Sequence, residues 1–308
     1  MLQKNYACII TIIIGREVQC IDGNIKLKKE FSNNINASIL MAVYKNDMPV
    51  LFEKAMTSIF ANRLIPNEIV LVIDGKINFE LENVVNQFNE KYNLKIVRNK
   101  ENLGLDKSLN IGLKYVKNEI IFRCDSDDVN KSNRFEEQFD YLSENTEVSV
   151  IGTQIDEFDE FDQYSGSRCV PTTMEGILKY ARYRNPMNHQ TVAMRKSAVI
   201  AVGGYPENTV YKEDYILWVR MLGCGLVIKN LSHSLVDVSA GDSLMNRRGG
   251  LKYAFGEITV QKELVAAKIS PIYLALFVFI LKFSLYLTPT RILSTFYKKF
   301  LRTKRYIS

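Results

Sequence analysis

The sequence has few of the residues that build disulfide frameworks and zinc sites. Its 308 residues include two histidines, His189 and His233, and five cysteines that are scattered and show no Cys-x-x-Cys spacing. An odd number of scattered cysteines argues against a disulfide framework, and the scarcity of histidine argues against a histidine-based metal site. We therefore expect reduced thiols, as in a cytosolic protein.

Long apolar runs are also missing. The run Ala7–Ile14 is short and no small-residue cleavage site follows it, so we do not interpret it as a signal peptide. The most apolar segment, Ile272–Leu287, has sixteen residues and is interrupted by Lys282 and Ser284, whereas a spanning helix needs about 20. The pattern favours a segment that lies on a membrane over one that spans it. A helix pair packed on the rest of the protein is the third interpretation.

Acidic residues are absent from the end of the chain. From Lys268 onward there are eight basic residues and no acidic one, so the net charge of +6 leaves 32 basic and 34 acidic residues before that point. A basic, apolar tail indicates an anionic membrane surface rather than nucleic acid as the partner. Residues 292–302 are apolar on one side with basic residues interspersed, which predicts a helix lying in the membrane interface.

Strand and helix patterns alternate in the first half of the chain. Ser38–Val43, Glu68–Ile73 and Glu119–Arg123 are apolar runs of strand length, separated by segments with helical spacing. This alternation predicts an α/β fold with a parallel sheet covered by helices. Ligands bind beyond the carboxyl ends of such strands. Asp74 and Asp125–Asp128 follow two of these ends, so we expect them at one edge of the sheet.

The most informative polar segment is the acidic cluster Asp125-Ser126-Asp127-Asp128. Three carboxylates in four residues repel one another unless a cation or solvent offsets their charge. A hard divalent ion, Mn²⁺ or Mg²⁺, meets that need because it binds oxygen ligands and a substrate diphosphate. The alternative is a solvated loop in which Asp128 caps the next helix.

Several short motifs, in their order and spacing, resemble family 2 glycosyltransferases, and among these the bacterial enzymes that build O-antigen and capsular polysaccharides. The resemblance covers roughly residues 37–255. The motifs are Ser38–Tyr44, Glu68–Gly75, Asn102-x-Gly104 with Asn110-x-Gly112, Asp125–Asp128, Asn185-Pro186-x-x-His189-Gln190-Thr191, Gly203-Gly204-Tyr205 and Glu213-Asp214-Tyr215-x-Leu217-Trp218-x-Arg220.

The resemblance implies the GT-A fold, one Rossmann-like, mostly parallel sheet flanked by helices. It implies a nucleotide half at 37–130 and an acceptor half at 131–260, whereas the leader at 1–36, of uncertain structure, has no counterpart in the family pattern. An amphipathic and apolar helical tail follows at 261–308. The chain departs from the family pattern at Ile73 and Ile216, where acidic residues are frequent.

The resemblance also implies roles for individual residues on the donor side. Asp74 is expected to accept the uracil N–H. Asp125 is expected to contact the ribose or the metal, and Asp127 to ligate the metal. The remaining expected donor contacts are Ala42 and Tyr44 near the base, Lys107 near the diphosphate, and Arg248, which either closes over the diphosphate or is simply exposed.

On the acceptor side the resemblance points to Asp214 as the general base, with Glu213 as the alternative. A carboxylate opposite the leaving group can take the proton of the acceptor hydroxyl as that hydroxyl attacks. His189 is expected to bind a phosphate or an acceptor hydroxyl, or else to make a structural hydrogen bond. Trp218, the only tryptophan, either stacks on an acceptor sugar or belongs to the core.

Together these features predict an inverting, metal-dependent transferase that moves a hexose from a UDP-sugar to a sugar hydroxyl. The expected acceptor is carried on a polyprenyl diphosphate, and the enzyme is expected on the cytoplasmic face of the membrane. One alternative is a sugar-1-phosphate nucleotidyltransferase, but Ser38–Asp47 lacks the glycine-rich loop that it requires. Another is an inactive nucleotide-sugar-binding protein, against which the intact Asp125, Asp127 and Asp214 argue.

Overall fold

The computed structural model describes residues 18–21, 24–27, 34–159, 161–239 and 251–286. The chain separates into two compact units, Met1–Asn34 and Ile35–Ser308. In the first unit, strands β1 (Val18–Ile21) and β2 (Asn24–Leu27) form an antiparallel hairpin. The apolar run at 7–14 lies outside the described residues.

The nucleotide half is built as the alternation of patterns predicts. Its strands lie in the order β5-β4-β3-β6, and the pairs β4/β5 and β3/β6 are parallel. The α/β class with a central sheet flanked by helices is therefore confirmed. The elements are β3 (Asn34–Tyr44), α1 (Pro49–Phe60), β4 (Ile65–Asp74), α2 (Phe79–Tyr92), β5 (Lys95–Asn99), α3 (Leu105–Leu113) and β6 (Ile120–Arg123).

The second half continues the same sheet in the order β10-β8-β11-β7, with β9 paired to β8. Here the pairing is mixed: β8 and β11 are parallel, whereas the short β10 is antiparallel to both β6 and β8. The three-residue β10 thus joins the two halves. The elements are β7 (Val129–Asn130), α4 (Arg134–Glu144), β8 (Val148–Phe158), β9 (Tyr164–Arg168), α5 (Met174–Ala181), β10 (Ala193–Arg195), α6 (Lys196–Ala201), α7 (Glu213–Gly223) and β11 (Val227–Ser239).

The central strands are buried on both faces of the sheet. Alternate residues belong to separate core clusters: Leu40 and Val72 pack in one, and Met41 and Leu71 in the other. Successive side chains of a strand point to opposite faces, so a strand covered on both sides reads as a continuous apolar run. This is the physical reason for the runs seen in the sequence.

Two glycines allow the backbone approaches that shape the donor end of the sheet. A Cβ on Gly112 of α3 would lie 2.5 Å from Leu40 Cδ1 and 2.9 Å from Val72 Cγ2, so α3 packs directly on β3 and β4. Gly75 has a φ of +81°, and a Cβ there would lie 2.7 Å from Asn102 N. The turn after β4 and the loop before α3 are therefore in close contact.

Two helices follow the sheet, α8 (Leu251–Ala266) and α9 (Ile272–Tyr286). Helix α8 crosses the boundary predicted at residue 260. Lys282 of α9 forms an ion pair with the fully buried Glu257 of α8 at 2.6 Å, and Lys212 approaches the same carboxylate at 3.6 Å. Thus α9 packs on the body of the protein, and the lysine that interrupts its apolar sequence anchors it there.

The opposite face of α9 is apolar and open. Six large hydrophobic side chains, in pairs that recur every four residues, are more than half exposed: Ile272, Tyr273, Leu276, Phe277, Ile280 and Leu281. Across the described part of the chain, no helix has both the length and the apolar character needed to cross a membrane. Residues 292–302 lie outside the described residues.

Candidate active site

The acidic cluster occupies the turn between β6 and β7. Carboxylate oxygens of Asp125, Asp127 and Asp128 lie within 4.8 Å of one another, and the side chains are half-buried, exposed and buried in that order. Burial raises the pKa of Asp128 well above its usual value, and the charges of Asp125 and Asp127 raise it further. A shared cation would relieve this repulsion, so the all-carboxylate set fits Mn²⁺ or Mg²⁺.

Asp128 does not have the helix-capping role that the sequence allowed. The residue at the N-cap of α4 is Asn133, and Asp128 is 4% exposed and accepts a backbone hydrogen bond from Ser239. The solvated-loop interpretation is therefore wrong for this residue.

A buried arginine forms an ion pair with one carboxylate of the cluster. Arg123, the last residue of β6, is 2% exposed and forms an ion pair with Asp125. Burial acts to lower the pKa of Arg123, but the charge of Asp125 and its hydrogen bond act against burial and the pKa is raised overall, so the guanidinium stays charged. Arg134 of α4 donates a hydrogen bond to the Arg123 carbonyl at 2.7 Å. Sequence reasoning missed Arg123, although a cation that ends an apolar strand just before an acidic turn was a usable signal.

Asp74, at the end of β4, organises the loop before α3. Its carboxylate accepts hydrogen bonds from Leu103 N at 2.8 Å, Gly104 N at 2.9 Å and Asn99 Nδ2 at 2.9 Å. A carboxylate offers about four acceptor sites, so the loop before α3 and Asn99 use most of those of Asp74. The uracil contact stays a prediction, and the loop contacts are a second role that the sequence did not reveal.

The other predicted donor residues lie at the same end of the sheet. Ala42 and Tyr44 are half-buried in the last three positions of β3, and Lys107 is half-buried in the first turn of α3. Arg248 lies outside the described residues.

The candidate base lies in the first turn of helix α7. Asp214 Oδ2 accepts a hydrogen bond from Asn185 Nδ2 at 2.6 Å, and its Oδ1 accepts one from Tyr215 N at 2.7 Å. Burial raises the pKa of Asp214, and these hydrogen bonds oppose the rise. Burial and then the charge of Asp214 raise the pKa of Glu213 to about 7. Both carboxyl groups of the pair therefore have pKa values above those of ordinary carboxyl groups.

His189 and Trp218 are part of a buried layer beside these carboxylates. His189 Nε2 lies 3.0 Å from the Tyr205 hydroxyl, and burial and the charge of Arg123 lower the pKa of the imidazole well below its usual value. A neutral, hydrogen-bonded imidazole suits the structural role better than phosphate binding. Trp218 is 0% exposed and packs edge to face with His189 at a ring-centroid distance of 6.1 Å.

The acceptor-stacking role of Trp218 is therefore wrong for this structure, because no face of the ring is open to a sugar. The core interpretation holds instead.

The two halves meet through Asn110 of α3. Its amide donates to the Tyr205 carbonyl at 2.8 Å and accepts from Tyr205 N at 2.8 Å. Gly204 has a φ of +78°, and a Cβ there would lie 2.7 Å from Asn110 Oδ1. The Asn110-x-Gly112 and Gly203-Gly204-Tyr205 motifs, far apart in the sequence, are therefore in direct contact and connect the two halves.

A model of glycosyl transferase family 2 matches residues 38–205. The chain belongs to this family. It is 34% identical over 265 residues to the UDP-Gal:alpha-D-GlcNAc-diphosphoundecaprenol beta-1,3-galactosyltransferase of Escherichia coli, covering 86% of this chain and 96% of the relative. It is 33% identical to the amylovoran biosynthesis glycosyltransferase AmsE of Erwinia amylovora, over 85% and 98% of the two chains.

Two solved structures with TM-scores above 0.5 confirm the fold. The S. aureus TarS structure matches with a TM-score of 0.59 and 16% identity, over 82% of this chain and 43% of that chain. TarS 1–349 in complex with UDP-GlcNAc matches with a TM-score of 0.56 and 18% identity, over 80% and 70%. The predicted family and GT-A-type fold are confirmed, and glycosyltransferase activity replaces the nucleotidyltransferase alternative.

Proposed function

We propose that this family 2 glycosyltransferase moves a hexose from a UDP-sugar to a hydroxyl of a sugar carried on a polyprenyl diphosphate, with inversion, in surface polysaccharide synthesis. The names of the Escherichia coli and Erwinia amylovora relatives support the donor, the acceptor class and the pathway. The observation that carries the proposal is the all-carboxylate cluster Asp125, Asp127 and Asp128 after β6, in a chain that the family model matches over residues 38–205.

The acidic cluster is the proposed metal and diphosphate end of the site. Asp127, which is exposed, and Asp125, which Arg123 orients, would hold Mn²⁺ or Mg²⁺. When bound, the ion offsets the negative charge of the diphosphate and of the departing UDP. Asp74, Ala42 and Tyr44 are assigned to the uridine, as expected from the family pattern.

Asp214 is the proposed general base. In a single displacement the acceptor oxygen bonds to the anomeric carbon, the bond from that carbon to the UDP oxygen breaks, and the acceptor proton moves to the Asp214 carboxylate. Asn185 donates to Oδ2 at 2.6 Å and fixes the orientation of the carboxylate. The raised pKa makes Asp214 a better proton acceptor than an ordinary aspartate.

Attachment to an anionic lipid bilayer is proposed for the open face of α9. This face exposes six large apolar side chains, and the 22 residues after Tyr286 contain six basic residues and no acidic one. Apolar side chains next to basic residues are the combination by which peripheral proteins bind anionic membranes. Such attachment on the cytoplasmic face places the enzyme beside a lipid-linked acceptor.

Two variants test the assignment of metal and base together. UDP binding, measured by titration calorimetry, is expected to require Mn²⁺ or Mg²⁺ in the wild type and to weaken at least about tenfold in Asp127→Ala. Asp214→Asn is expected to retain UDP binding and to lose transfer by about 10³-fold, because general-base catalysis contributes on the order of 10²–10⁴. Transfer is measured from UDP-galactose to an N-acetylglucosaminyl diphosphate with a short alkyl chain, with NMR of the product.

Each assignment has its own contrary result. Equal UDP binding by Asp127→Ala without metal would remove the metal assignment. Near wild-type transfer by Asp214→Asn would move the base to Glu213 or another group. An axial anomeric linkage in the product from an α-linked donor would exclude inversion.

A further inference from the structure

Two arginines beside the proposed base have no role in the site described so far. Arg168 ends β9, is half-buried, and its guanidinium lies 3.5 Å from the Asn185 carbonyl oxygen. Arg184 is exposed and directly precedes Asn185. Asn185 in turn donates to Asp214 at 2.6 Å. Arg168 thus contacts Asn185, the residue that hydrogen-bonds to the proposed base, and Arg184 precedes it in the sequence.

The cations around this point face the carboxylate of Asp214: burial raises the pKa of Asp214, and the charge of Arg168 is among the causes that oppose the rise. Lys212 and Lys282 share the single buried carboxylate of Glu257. Among the described residues, no carboxylate forms a salt bridge with Arg168 or Arg184. Burial is the main cause that lowers the pKa of Lys282, and the charge of Arg184 adds a smaller lowering. Neither guanidinium is held in a close ion pair within the described residues, so each can donate hydrogen bonds to an external anion.

These cations lie where the diphosphate of the proposed acceptor is expected. The hydroxyl that attacks must lie at Asp214, and the diphosphate of a glycosyl diphosphate is attached to the same sugar ring. Guanidinium groups bind phosphate oxygens through two parallel N–H donors. Lys282 of α9 lies over the Tyr215 ring at 5.7 Å, so the open apolar face of α9 belongs to a helix that packs beside this site.

We propose that Arg168 and Arg184 bind the diphosphate of the lipid-linked acceptor, beside the Asn185–Asp214 pair. This inference rests on the proposed function, because it requires an acceptor that carries a diphosphate. The acceptor sugar then lies over Asp214, and its lipid leaves toward α9. The donor diphosphate stays at the acidic cluster, so the two diphosphates have separate sites.

A purely orienting role of Arg168 can be distinguished from diphosphate binding by kinetics. If Arg168 only orients Asp214 through Asn185, its loss lowers turnover equally for every acceptor. If it binds the diphosphate, its loss raises KM for acceptors that carry the diphosphate and leaves phosphate-free acceptors unchanged. The KM and kcat of matched acceptors separate these roles.

The experiment compares Arg184→Gln and Arg168→Gln with the wild type on two acceptors, an N-acetylglucosaminyl diphosphate with a short alkyl chain and the phosphate-free alkyl glycoside. Lys179→Gln, which removes one exposed charge from α5, is the matched control. Each arginine variant is expected to raise KM for the diphosphate acceptor about tenfold or more, with KM for UDP-galactose unchanged. Arg184→Lys is expected to recover part of the loss. If the glycoside is not turned over, its inhibition constant replaces KM.

An equal loss on both acceptors, or no loss on either, would overturn the inference while wild-type transfer to the diphosphate acceptor still stands. Absence of wild-type transfer to that acceptor would instead contradict the proposed function. The control variant behaving like Arg184→Gln would show that only net charge matters, which would also overturn the site.

Discussion

At the scale of single residues, the carboxylate pair at the start of α7 sets the pH dependence of the site. Burial and the neighbouring charge of Asp214 raise the pKa of Glu213 to about 7. Because the two groups titrate together, the steps belong to the pair. Asp214 also has a raised pKa but receives hydrogen bonds from Asn185 and Tyr215 that favour its ionised form. Asp214 is therefore the first of the two to lose its proton.

We expect kcat/KM to rise with pH through a step near pH 7 in the wild type. Ionisation of Glu213 adds a negative charge beside Asp214, which increases the proton affinity of the base. In Glu213→Gln this step is expected to disappear while activity at pH 6 is retained within about threefold. Initial rates between pH 5 and 9 check this, with Glu207→Gln as an exposed control.

The same pKa shift has a consequence for stability. The folded pKa of Glu213 is above that of the unfolded chain, so the folded state binds more protons between about pH 4.5 and 7, and its stability falls as pH rises through that range. Glu213→Gln should reduce this fall in urea denaturation. Loss of activity at every pH in Glu213→Gln would identify Glu213 as the base and contradict the assignment of Asp214.

Residue roles were the least predictable part of the site. Asp125, Asp127, Glu213 and Asp214 were found because acidic residues cluster in short motifs. Trp218 was open to two interpretations because α7 is buried nearly all round, and a helix without a polar face gives no periodicity from which to tell a cleft residue from a core residue. The pairing of Asn185 with Asp214 spans 29 residues, which no local pattern encodes.

At the scale of elements, the packing of α3 on the sheet positions the donor end. The N-terminus of α3 brings Leu103 N and Gly104 N to the Asp74 carboxylate, and its middle approaches the strands where Gly112 has no side chain. Any Cβ at Gly112 would meet Leu40 Cδ1 at 2.5 Å and Val72 Cγ2 at 2.9 Å. The helix must then move outward, taking the loop with it.

We expect Gly112→Val to lower the free energy of unfolding by about 1–3 kcal/mol, the usual cost of overpacking a core. UDP binding should also weaken, because α3 carries the loop that Asp74 holds. Urea denaturation and titration calorimetry measure the two effects. Lys114→Ala, at an exposed position at the end of the same helix, should change stability by less than about 0.5 kcal/mol. A stable Gly112→Val variant with normal UDP binding would contradict the close-packing argument.

The elements of the nucleotide half could be predicted because each is long enough to show a period. Buried strands such as Ser38–Val43 and helices such as α3 have five or more residues in one pattern. Strand β10 has three residues, and its antiparallel pairing with β6 and β8 depends on contacts distant in sequence. The mixed pairing of the second half could therefore not be inferred from periodicity.

At the scale of the whole molecule, α9 connects the proposed membrane surface to the catalytic body. The connection is made by Lys282, which interrupts an apolar segment in the sequence. In the structure it forms an ion pair with Glu257, which lies 25 residues earlier and is fully buried. Removing one partner of a buried pair leaves an uncompensated charge. Deleting α9 would therefore disturb the region around Lys212, directly before Glu213. A deletion that starts after Tyr286 avoids this problem.

Removal of residues 287–308 is expected to reduce binding to vesicles that contain anionic lipid by about tenfold or more, because six basic residues are lost, each worth on the order of 1 kcal/mol near such a surface. Transfer to the short-chain diphosphate acceptor should stay within about twofold, since α9 remains. Binding of the full chain should weaken as salt rises from 0.1 to 0.5 M. Vesicle sedimentation measures these effects.

The apolar face of α9 is expected to make a second contribution to vesicle binding, one that does not depend on salt. Replacing Leu276, Phe277 and Ile280 by serine removes buried area from the membrane contact, so binding to neutral and anionic vesicles should fall together. Phe79→Ser on α2, which is 75% exposed, is the matched loss of an exposed apolar side chain and should leave binding unchanged. Undiminished binding of the triple variant would show that the basic residues act alone and that the open face of α9 serves another partner. Undiminished binding after removal of residues 287–308 would place the membrane contact entirely on α9.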